Sequence, residues 1–413
     1  MRKRLTALLL ALLLVLALPG CGVRAQELTK DIVPTPVDTT TDLTAGGEAV
    51  AAFALSLLRE EKAGTSGVLV SPVSALNALG MVANGASGDT LKQLETAAGM
   101  SLNQLNDFLY TYRMSLPATY KSCVVSLANS AWLRDTFRAE DAFLRTCVNY
   151  YDAEVYSSAF DSGLVTDLNR WVEKETNGMI DSLLEQEPSV TTMLYLVNAA
   201  CFDARWETPY TKDSVHTDRN FITADGTRQA VDYLTSQENI YLTGNNVTGF
   251  LKPYDGGKYA FVALLPDEGV TLEDYLKNLT GEHLYDLITD HHYANVQASI
   301  PRFTAQSELE LEEPLKDMGI TDLFNVSTAD LRSIGSAPSG NNLYVFSVLH
   351  KTYLELDENG TKAAAATSLE VSAGDAPPSE DVKTVTLDRP FLYMIVDTHA
   401  CVPLFMGTVT SME

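Results

Sequence analysis

The segment Glu-Leu-Asp-Glu-Asn-Gly-Thr-Lys-Ala-Ala-Ala-Ala-Thr occupies residues 355–367, near the C-terminal end of the chain. Four consecutive alanines are, on their own, typical of a helical surface segment or of a flexible linker. Here they follow an apolar, strand-like run over residues 343–356. They lead into residues 372–378, where a glycine and two prolines predict an exposed, irregular chain. We therefore interpret residues 355–378 as a loop that leaves the end of a strand.

The side chains of this loop alternate as those of a strand do. One face is small or apolar and carries Thr361, Ala363, Ala365, Thr367, Leu369 and Val371. The opposite face holds every charge and carries Lys362, Ala364, Ala366, Ser368, Glu370 and Ser372. This pattern is typical of a strand with one buried side. A segment that begins as a loop thus has the composition of a half-buried strand.

The N-terminal residues predict an export signal. Basic residues at positions 2–4 precede an apolar run over residues 5–18, which is shorter than the roughly 20 residues of a membrane span. The sequence Leu-Pro-Gly-Cys at residues 18–21 is similar to a bacterial lipoprotein box, with Cys21 as the lipidated first residue. Because Pro19 is unusual at its place, cleavage by the ordinary signal peptidase, with Cys21 left unmodified, is the alternative.

These features divide the chain into three parts. We predict a signal peptide over residues 1–20, a lipidated cysteine and flexible tether over residues 21–45, and one folded domain over residues 46–413. The tether prediction rests on its prolines and on three consecutive threonines. We expect the protein outside the cell, tethered to the bacterial membrane surface or secreted.

The charge of the chain excludes one class of partner. Its formal net charge is −25, and removal of the basic signal residues makes the mature protein more negative still. Such a surface repels phosphates, so we expect no nucleic-acid partner.

The sequence contains no motif of a known enzyme class or metal site. Only six histidines are present, and there is no paired C-x-x-C, H-E-x-x-H, G-x-S-x-G or glycine-rich phosphate loop. His283, His291 and His292 are the one conceivable metal set, but adjacent histidines point in different directions in regular structure. We expect no catalytic residue, metal or cofactor.

The remaining cysteines lie mostly in apolar contexts and are interpreted as buried thiols. They are Cys123, Cys147, Cys201 and Cys401. One disulfide is possible in an exported protein, but the spacings show no framework.

The order of hydrophobic patterns predicts an α+β fold. Helical periodicity dominates the first half, where Ser71 and Pro72 predict a helix start with Ser71 as the cap. Strand-like runs dominate the second half, for example over residues 193–197 and 295–303. Helices followed by strands indicate an α+β body with large sheets.

An ordered set of motifs from about residue 45 to residue 409 resembles the serpin family. The motifs include Ser-Pro-Val-Ser at 71–74, Asn-Gly-Ala-Ser-Gly at 84–88, Asn-Ser-Ala-Trp-Leu at 129–133, Asn-Arg-Trp-Val at 169–172, Val-Asn-Ala-Ala-Cys-Phe at 197–202, Ile-Pro-Arg-Phe at 300–303 and Arg-Pro-Phe-Leu at 389–392. Each motif is weak alone, but their joint occurrence in order is highly specific. The resemblance implies a serpin fold, with helices packed on three β-sheets and an exposed reactive-centre loop.

The resemblance also implies a function. A target serine protease cleaves the loop, forms a covalent acyl-enzyme with it, and is trapped when the loop inserts into the central sheet. At about 1 kcal/mol net per hydrogen bond, some ten or more new bonds would release on the order of 10 kcal/mol. This amount is comparable to the whole stability of an ordinary domain. We expect a monomeric inhibitor that is not an enzyme.

The functional residues implied by the resemblance fall into three groups. The hinge comprises Glu358, Gly360, Thr361, Ala363, Ala364, Ala365 and Ala366. The shutter, a polar cluster under the central sheet, comprises Ser71, Ser74, Asn198 and His350. The breach, where the loop first enters, comprises Trp206 and Arg302, with Arg302 expected to pair with Glu358. Two positions depart from the family pattern, because Ala204 replaces a usual glycine and Lys362 a common acidic residue.

The position of the cleaved bond follows from spacing. Counting from Glu358 at the usual spacing of the serpin family, the resemblance implies cleavage at Gly374-Asp375, with Ala373-Gly374 as the next candidate, although the long loop up to Pro390 leaves this register open. No long basic side chain lies at residues 371–374, so we predict an elastase- or subtilisin-like target.

The alternative function is that of a noninhibitory serpin acting as a surface binding protein or carrier. Such members often carry charged or bulky residues on the inward face of the hinge. The small side chains of Thr361, Ala363 and Ala365 favour the inhibitor.

Overall fold

The computed structural model describes residues 25–39, 41–60, 67–117, 119–337, 342–361 and 382–412. Its α-helices are α1 (Leu43–Glu60), α2 (Pro72–Ala83), α3 (Gly88–Ala98), α4 (Leu102–Ser115), α5 (Asp141–Tyr151), α6 (Ser162–Glu175), α7 (Leu272–Asn278), α8 (Gly281–Thr289) and α9 (Glu312–Asp317). None of these helices is both long and apolar enough to cross a membrane.

The strands lie mostly in the second half of the chain. The first nine are β1 (Gln26–Glu27), β2 (Leu69–Val70), β3 (Val124–Arg134), β4 (Arg138–Ala139), β5 (Glu154–Ser158), β6 (Leu194–Arg205), β7 (Val215–Ile222), β8 (Arg228–Gly244) and β9 (Val247–Pro253). The others are β10 (Tyr259–Pro266), β11 (His292–Pro301), β12 (Phe303–Glu310), β13 (Gly335–Ser336), β14 (Ser347–Leu356), β15 (Gly360–Thr361), β16 (Val382–Thr386), β17 (Phe391–Asp397) and β18 (Val402–Val409).

A seven-stranded sheet forms the centre of the molecule, in the order β1-β5-β3-β6-β15-β14-β12. A longer ladder runs β16-β11-β8-β9-β10-β17-β18-β2, with β7 beside β8. It contains two sheets that share β8, because β7 pairs with the first half of that strand and β9 with its end. The predicted α+β architecture with three sheets is confirmed.

Helices cover the sheets in layers. Helix α6 packs on one face of the seven-stranded sheet, where Trp171 and Leu168 join Trp132 and Tyr195 in one cluster. Helix α2 contacts β3 and β6 of that sheet and β18 of the other, so it lies between them. All twelve of its residues are buried, which explains why it is apolar on every side. Helices α7, α8 and α1 share a second apolar cluster with β10 and β17.

Two local predictions need correction. Helix α2 begins with Pro72 as predicted, but the hydroxyl of Ser71 makes no capping hydrogen bond; its backbone N–H donates to His350 instead. The strand predicted over residues 295–303 is two strands in different sheets. The chain leaves β11 at Pro301, enters β12 at Phe303, and between them the Arg302 N–H donates to Asp232 O at 2.8 Å.

The N-terminal segment is bound to the body. Strand β1 pairs with the edge strand β5, and the Leu28 N–H donates to Val155 O at 2.7 Å. Thr29 is buried, and its hydroxyl accepts a hydrogen bond from the Val155 N–H at 3.1 Å. The predicted flexible tether over residues 21–45 therefore does not hold for residues 25–39, because residues 26–28 pair with β5 and the N–H groups of Thr35 and Val37 donate to side chains of α5 and α4. The first residues of the segment form a strand at the sheet edge, whereas its prolines had favoured a flexible chain.

The cysteine and histidine predictions have mixed outcomes. Cys123, Cys147 and Cys201 are buried thiols, but Cys401 is only partly buried. Burial raises the pKa of the Cys123 thiol to about 12. In the described part of the chain, no group of three or more His, Cys, Asp or Glu side chains is arranged to hold a metal ion.

Candidate functional site

The hinge begins as a two-residue strand wedged into the central sheet. Strand β15 lies between β6 and β14, with Gly360 opposite Arg205 and Thr361 opposite Ala204. Thr361 also pairs with Leu356 of β14. Thr361 is fully buried. The start of the loop thus already occupies the position of an inserted strand.

A tight turn joins β14 to this hinge strand. The Asp357 carboxylate accepts hydrogen bonds from the N–H groups of Asn359, at 2.7 Å, and Gly360, at 3.1 Å. The Asp357 N–H donates to Gly360 O at 3.0 Å. A Cβ on residue 360 would lie 1.9 Å from Ala204 O. Gly360 is therefore required by close packing against β6.

Trp206 holds the outside of the turn. Its ring stacks on Tyr254 with a centroid distance of 4.4 Å, and its indole N–H donates to Asp357 O at 3.0 Å. Its backbone N–H donates to Asn359 O at 2.9 Å. One buried tryptophan thus fixes two residues of the turn, at the position predicted for the breach.

Tyr254 reaches the hinge strand itself. Its hydroxyl is 2.6 Å from Oγ1 of Thr361, and both side chains are fully buried. Burial raises the pKa of the Tyr254 phenol well above its ordinary value, so the hydroxyl keeps its proton. This hydrogen bond holds the first inward residue of the loop in place.

The predicted pair at the base of the hinge is present. Arg302 donates to the Glu358 carboxylate and lies 3.6 Å from the Asp232 carboxylate. These side chains are about one-third exposed, so the pair contributes little by Coulomb attraction alone. A second, buried pair lies nearby, where the Lys252 ammonium is 2.9 Å from Glu238 and faces the ring of Tyr210 at 4.5 Å. The Tyr210 N–H in turn donates to Glu358 O at 2.9 Å.

The two strands beside the hinge are closed against each other below it. Strands β6 and β14 pair in parallel over seven residues, from Tyr195 opposite Ser347 to Cys201 opposite Tyr353. The sheet thus has a wedge at one end and a closed parallel ladder along the rest of the gap.

Two of the predicted shutter residues lie on the two strands that border this gap, and the other two lie at the start of α2. Ser71, Ser74, Asn198 and His350 are all fully buried, and His350 lies opposite Asn198 in the β6–β14 ladder. His350 Nε2 accepts a hydrogen bond from the Ser71 N–H at 2.9 Å. The Asn198 amide donates to Asn129 Oδ1 at 2.7 Å. Strand β14 is therefore tied to the start of α2, and strand β6 is tied to β3.

Several polar atoms of the shutter, and one of Ser347 at the start of β14, have no hydrogen-bond partner within the described residues. They are Ser71 Oγ, Ser74 Oγ, Asn198 Oδ1, Ser347 Oγ and His350 Nδ1. A buried polar atom that finds no hydrogen-bond partner, in protein or in ordered water, costs about 1–3 kcal/mol. Burial also lowers the pKa of the His350 imidazole to about 4, because desolvation disfavours the charged ring.

The low pKa of His350 predicts a loss of stability in acid. The unfolded chain binds a proton near pH 6.5 and the folded protein only near pH 4. The effect of His350 on the free energy of unfolding is therefore absent above pH 6.5. As the pH falls from 6.5 to 4, the free energy of unfolding decreases by about 3 kcal/mol. We expect His350→Gln to lose this part of the pH dependence, measured from urea midpoints of native-state unfolding between pH 7 and pH 4. Equal pH slopes for the two proteins would contradict the assignment.

Other predicted site residues lie outside the described residues. These are the hinge residues Ala363, Ala364, Ala365 and Ala366, the bond candidates Ala373, Gly374 and Asp375, and the lipidation candidate Cys21. Within the described chain, sequence reasoning missed Asn129 and Tyr254. Asn129 begins a quoted motif and was available as a signal, whereas nothing near Tyr254 pointed to Thr361.

Comparison with known proteins gives consistent matches over this whole body. A family model described as "Serpin (serine protease inhibitor)" matches residues 48–412. Mouse glia-derived nexin is 31% identical over 354 residues, covering 83% of this chain and 87% of that protein. Iripin-5 of the tick Ixodes ricinus is 30% identical over 374 residues, covering 86% of this chain and 92% of its own length.

Solved structures of one relative distinguish two conformations. The native state of tengpin, a thermophilic serpin, is 40% identical, covers 94% of this chain and all of its own, and superposes with a TM-score of 0.88. The TM-score for the latent state of tengpin is 0.78, at 39% identity and with 92% of this chain and all of its own covered. The present conformation is therefore more similar to the native state of that protein.

Proposed function

Because the chain belongs to the serpin family, whose members are in general inhibitors of serine proteases, we propose that it is an irreversible, suicide-type inhibitor of a serine protease. The observation that carries this proposal is the wedge in the central sheet. Strand β15 lies between β6 and β14 at one end of the gap, and these two strands pair directly with each other along the rest of it. The rest of the loop could therefore extend β15 along the gap between β6 and β14.

The chemistry of inhibition uses the bond of the loop and the nucleophile of the protease. The protease serine attacks the carbonyl carbon of the residue before the cleaved bond, which is Gly374 or Ala373. The peptide C–N bond breaks, the new amine takes a proton and leaves, and an ester joins the inhibitor to the protease. The freed segment then extends β15 into the gap and carries the protease with it, which distorts the active site before water hydrolyses the ester.

The described contacts support insertion from the hinge. Thr361 points inward, and Gly360 permits the close approach to β6. The inserting strand would replace one parallel ladder, β6 with β14, by two antiparallel ladders. The inserted residues would therefore form backbone hydrogen bonds to both neighbouring strands. The hydrogen bonds lost in exchange are those of the parallel ladder between β6 and β14.

The composition of the loop indicates the class of protease that the inhibitor would bind. Residues 371–374 are Val, Ser, Ala and Gly, which fit the small pockets of elastase- or subtilisin-like proteases. A trypsin-like protease requires a long basic side chain, which is missing there.

Location and assembly complete the proposal. We infer that Cys21 is lipidated and that the monomeric protein acts on the outer surface of the bacterial membrane. The lipoprotein-like sequence at residues 18–21 supports this inference.

A gel experiment tests the function. The purified domain is incubated with an elastase and run on a denaturing gel. We expect a covalent band at the summed mass of the inhibitor fragment and the protease. Clean cleavage of the loop without that band would instead support a noninhibitory carrier.

A further inference from the structure

The N-terminal segment enters the body at the end of the central sheet that lies opposite the hinge. Gln26 is opposite Ser157 of β5, and Ser157 is opposite Leu133 of β3. Leu133 is opposite Leu194, the first residue of β6. The hinge lies at the other end of β6, beside Arg205. At about 3.3 Å per residue, roughly 36 Å of strand separates the two ends.

The register of the hinge shows where a fully inserted loop would end. Gly360 is opposite Arg205 and Thr361 is opposite Ala204, so each later residue faces one residue earlier along β6. Continued to Gly374, this register reaches Thr191, just beyond the start of β6 at Leu194. A protease esterified at Gly374 would therefore come to rest at the end of the sheet where Gln26 lies.

Membrane attachment at Cys21 would leave no room at that end. Three residues lie between Cys21 and Ala25, the first described residue, so the Cα atoms of these two residues are at most about 14 Å apart. A protease domain of about 230 residues has a radius of gyration near 17 Å, so it is on the order of 45 Å across. With residues 25–39 bound to the body, the receiving end of the sheet is held close to the membrane.

The bound segment, here called the arm (residues 25–39), is attached by hydrogen bonds and by the packing of Ala25, Leu28 and Ile32 on the hydrophobic core. Besides its pairing with β5, the Ala25 N–H donates to Asp167 of α6 at 2.7 Å and the Thr35 N–H to Asn149 of α5 at 2.9 Å. The Val37 N–H donates to the Tyr110 hydroxyl of α4 at 3.2 Å. These hydrogen bonds join the arm to β5 and to helices α4, α5 and α6, and none of them reaches β14. Detachment of the arm therefore breaks no bond of this set to β14, the strand on the other side of the gap.

We propose that the arm is a releasable part of the membrane tether, and that capture of a protease by the anchored protein requires the arm to detach from β5. This proposal rests on the proposed inhibition and on attachment at Cys21. Detachment lengthens the free chain from Cys21 up to Leu43, the start of α1, which allows a span of about 75 Å. That length lets a protease occupy the space between the sheet end and the membrane.

The experiment locks the arm with a disulfide and compares two locations. Gln26→Cys with Ser157→Cys joins directly opposite residues of an antiparallel pair, at a spacing compatible with a disulfide. A hexahistidine tag replaces residues 1–21 and binds the protein to vesicles that contain a nickel-chelating lipid. Imidazole releases the same molecules into solution as the matched control. An elastase is then added, and the covalent complex and the cleaved product are measured for the oxidised and the reduced protein.

We expect the oxidised protein on vesicles to form at least tenfold less complex, with a matching rise in cleaved product. The oxidised protein in solution and the reduced protein on vesicles should form complex normally. Equal amounts of covalent complex from the oxidised and the reduced protein on vesicles would overturn the proposal, because the folded domain would then accommodate the protease by tilting on the membrane with the arm still bound. Loss of complex by the oxidised protein in solution would also overturn it, since the arm would then restrain insertion itself. Absence of complex from the reduced protein in solution would instead refute the proposed inhibition.

Discussion

Replacement of Ala363 by arginine is expected to convert the inhibitor into a substrate while the initial rate of protease attack stays nearly unchanged. Thr361 faces the core opposite Ala204, so two residues further on Ala363 would face the core opposite Phe202. Burial of an unpaired arginine there costs several kcal/mol. A cost of about 3 kcal/mol slows insertion by on the order of 100-fold. Hydrolysis of the ester then precedes trapping.

The matched control places the same side chain on the other face. Lys362 would pair with Asp203, which is partly exposed, so Lys362→Arg should inhibit normally. Ala364→Arg is a poorer control, because its partner by the same register, Cys201, is fully buried, with Sγ 4.0 Å from Thr176 O. The ratio of covalent complex to cleaved product is measured for each variant. Equal loss of complex in Ala363→Arg and Lys362→Arg would show that the strand register is wrong.

Cleavage of the loop between about Leu369 and Asp375 is expected to raise the melting temperature of the protein by about 10 °C or more. Insertion exchanges one ladder between β6 and β14 for two ladders, for a net gain on the order of 10 kcal/mol. Unfolding entropy is about 2.1 cal/mol/K per residue, or roughly 0.8 kcal/mol/K for a domain of this size. The gain thus corresponds to a shift of between about 10 and 15 °C.

The shift can be measured by calorimetry before and after limited proteolysis by an elastase. Cleaved Ala363→Arg is the control, because its loop is cut at the same place but inserts poorly, and its melting temperature should rise much less. An unchanged or lower melting temperature of the cleaved wild-type protein would refute loop insertion.

Local sequence was sufficient for those features whose causes lie close together along the chain. The alternation after Gly360 is a property of consecutive residues, and strand geometry alone assigns it two faces. Pro72 set the start of α2 because its fixed φ suits a first helical turn. The ordered motifs likewise identified the family, whose model matches residues 48–412.

Other features depended on contacts between distant parts of the chain. The Tyr254–Thr361 hydrogen bond joins residues 107 positions apart, and the Ser71–His350 bond joins residues 279 apart. Ser71 has the local pattern of a cap, but packing placed the His350 ring against its N–H. The N-terminal arm was misjudged for the same reason, because a polar, proline-containing segment becomes ordered only where a sheet edge offers it unpaired backbone groups. Local patterns thus predict which residues can enter a strand, whereas only the tertiary structure decides which edge or gap receives them.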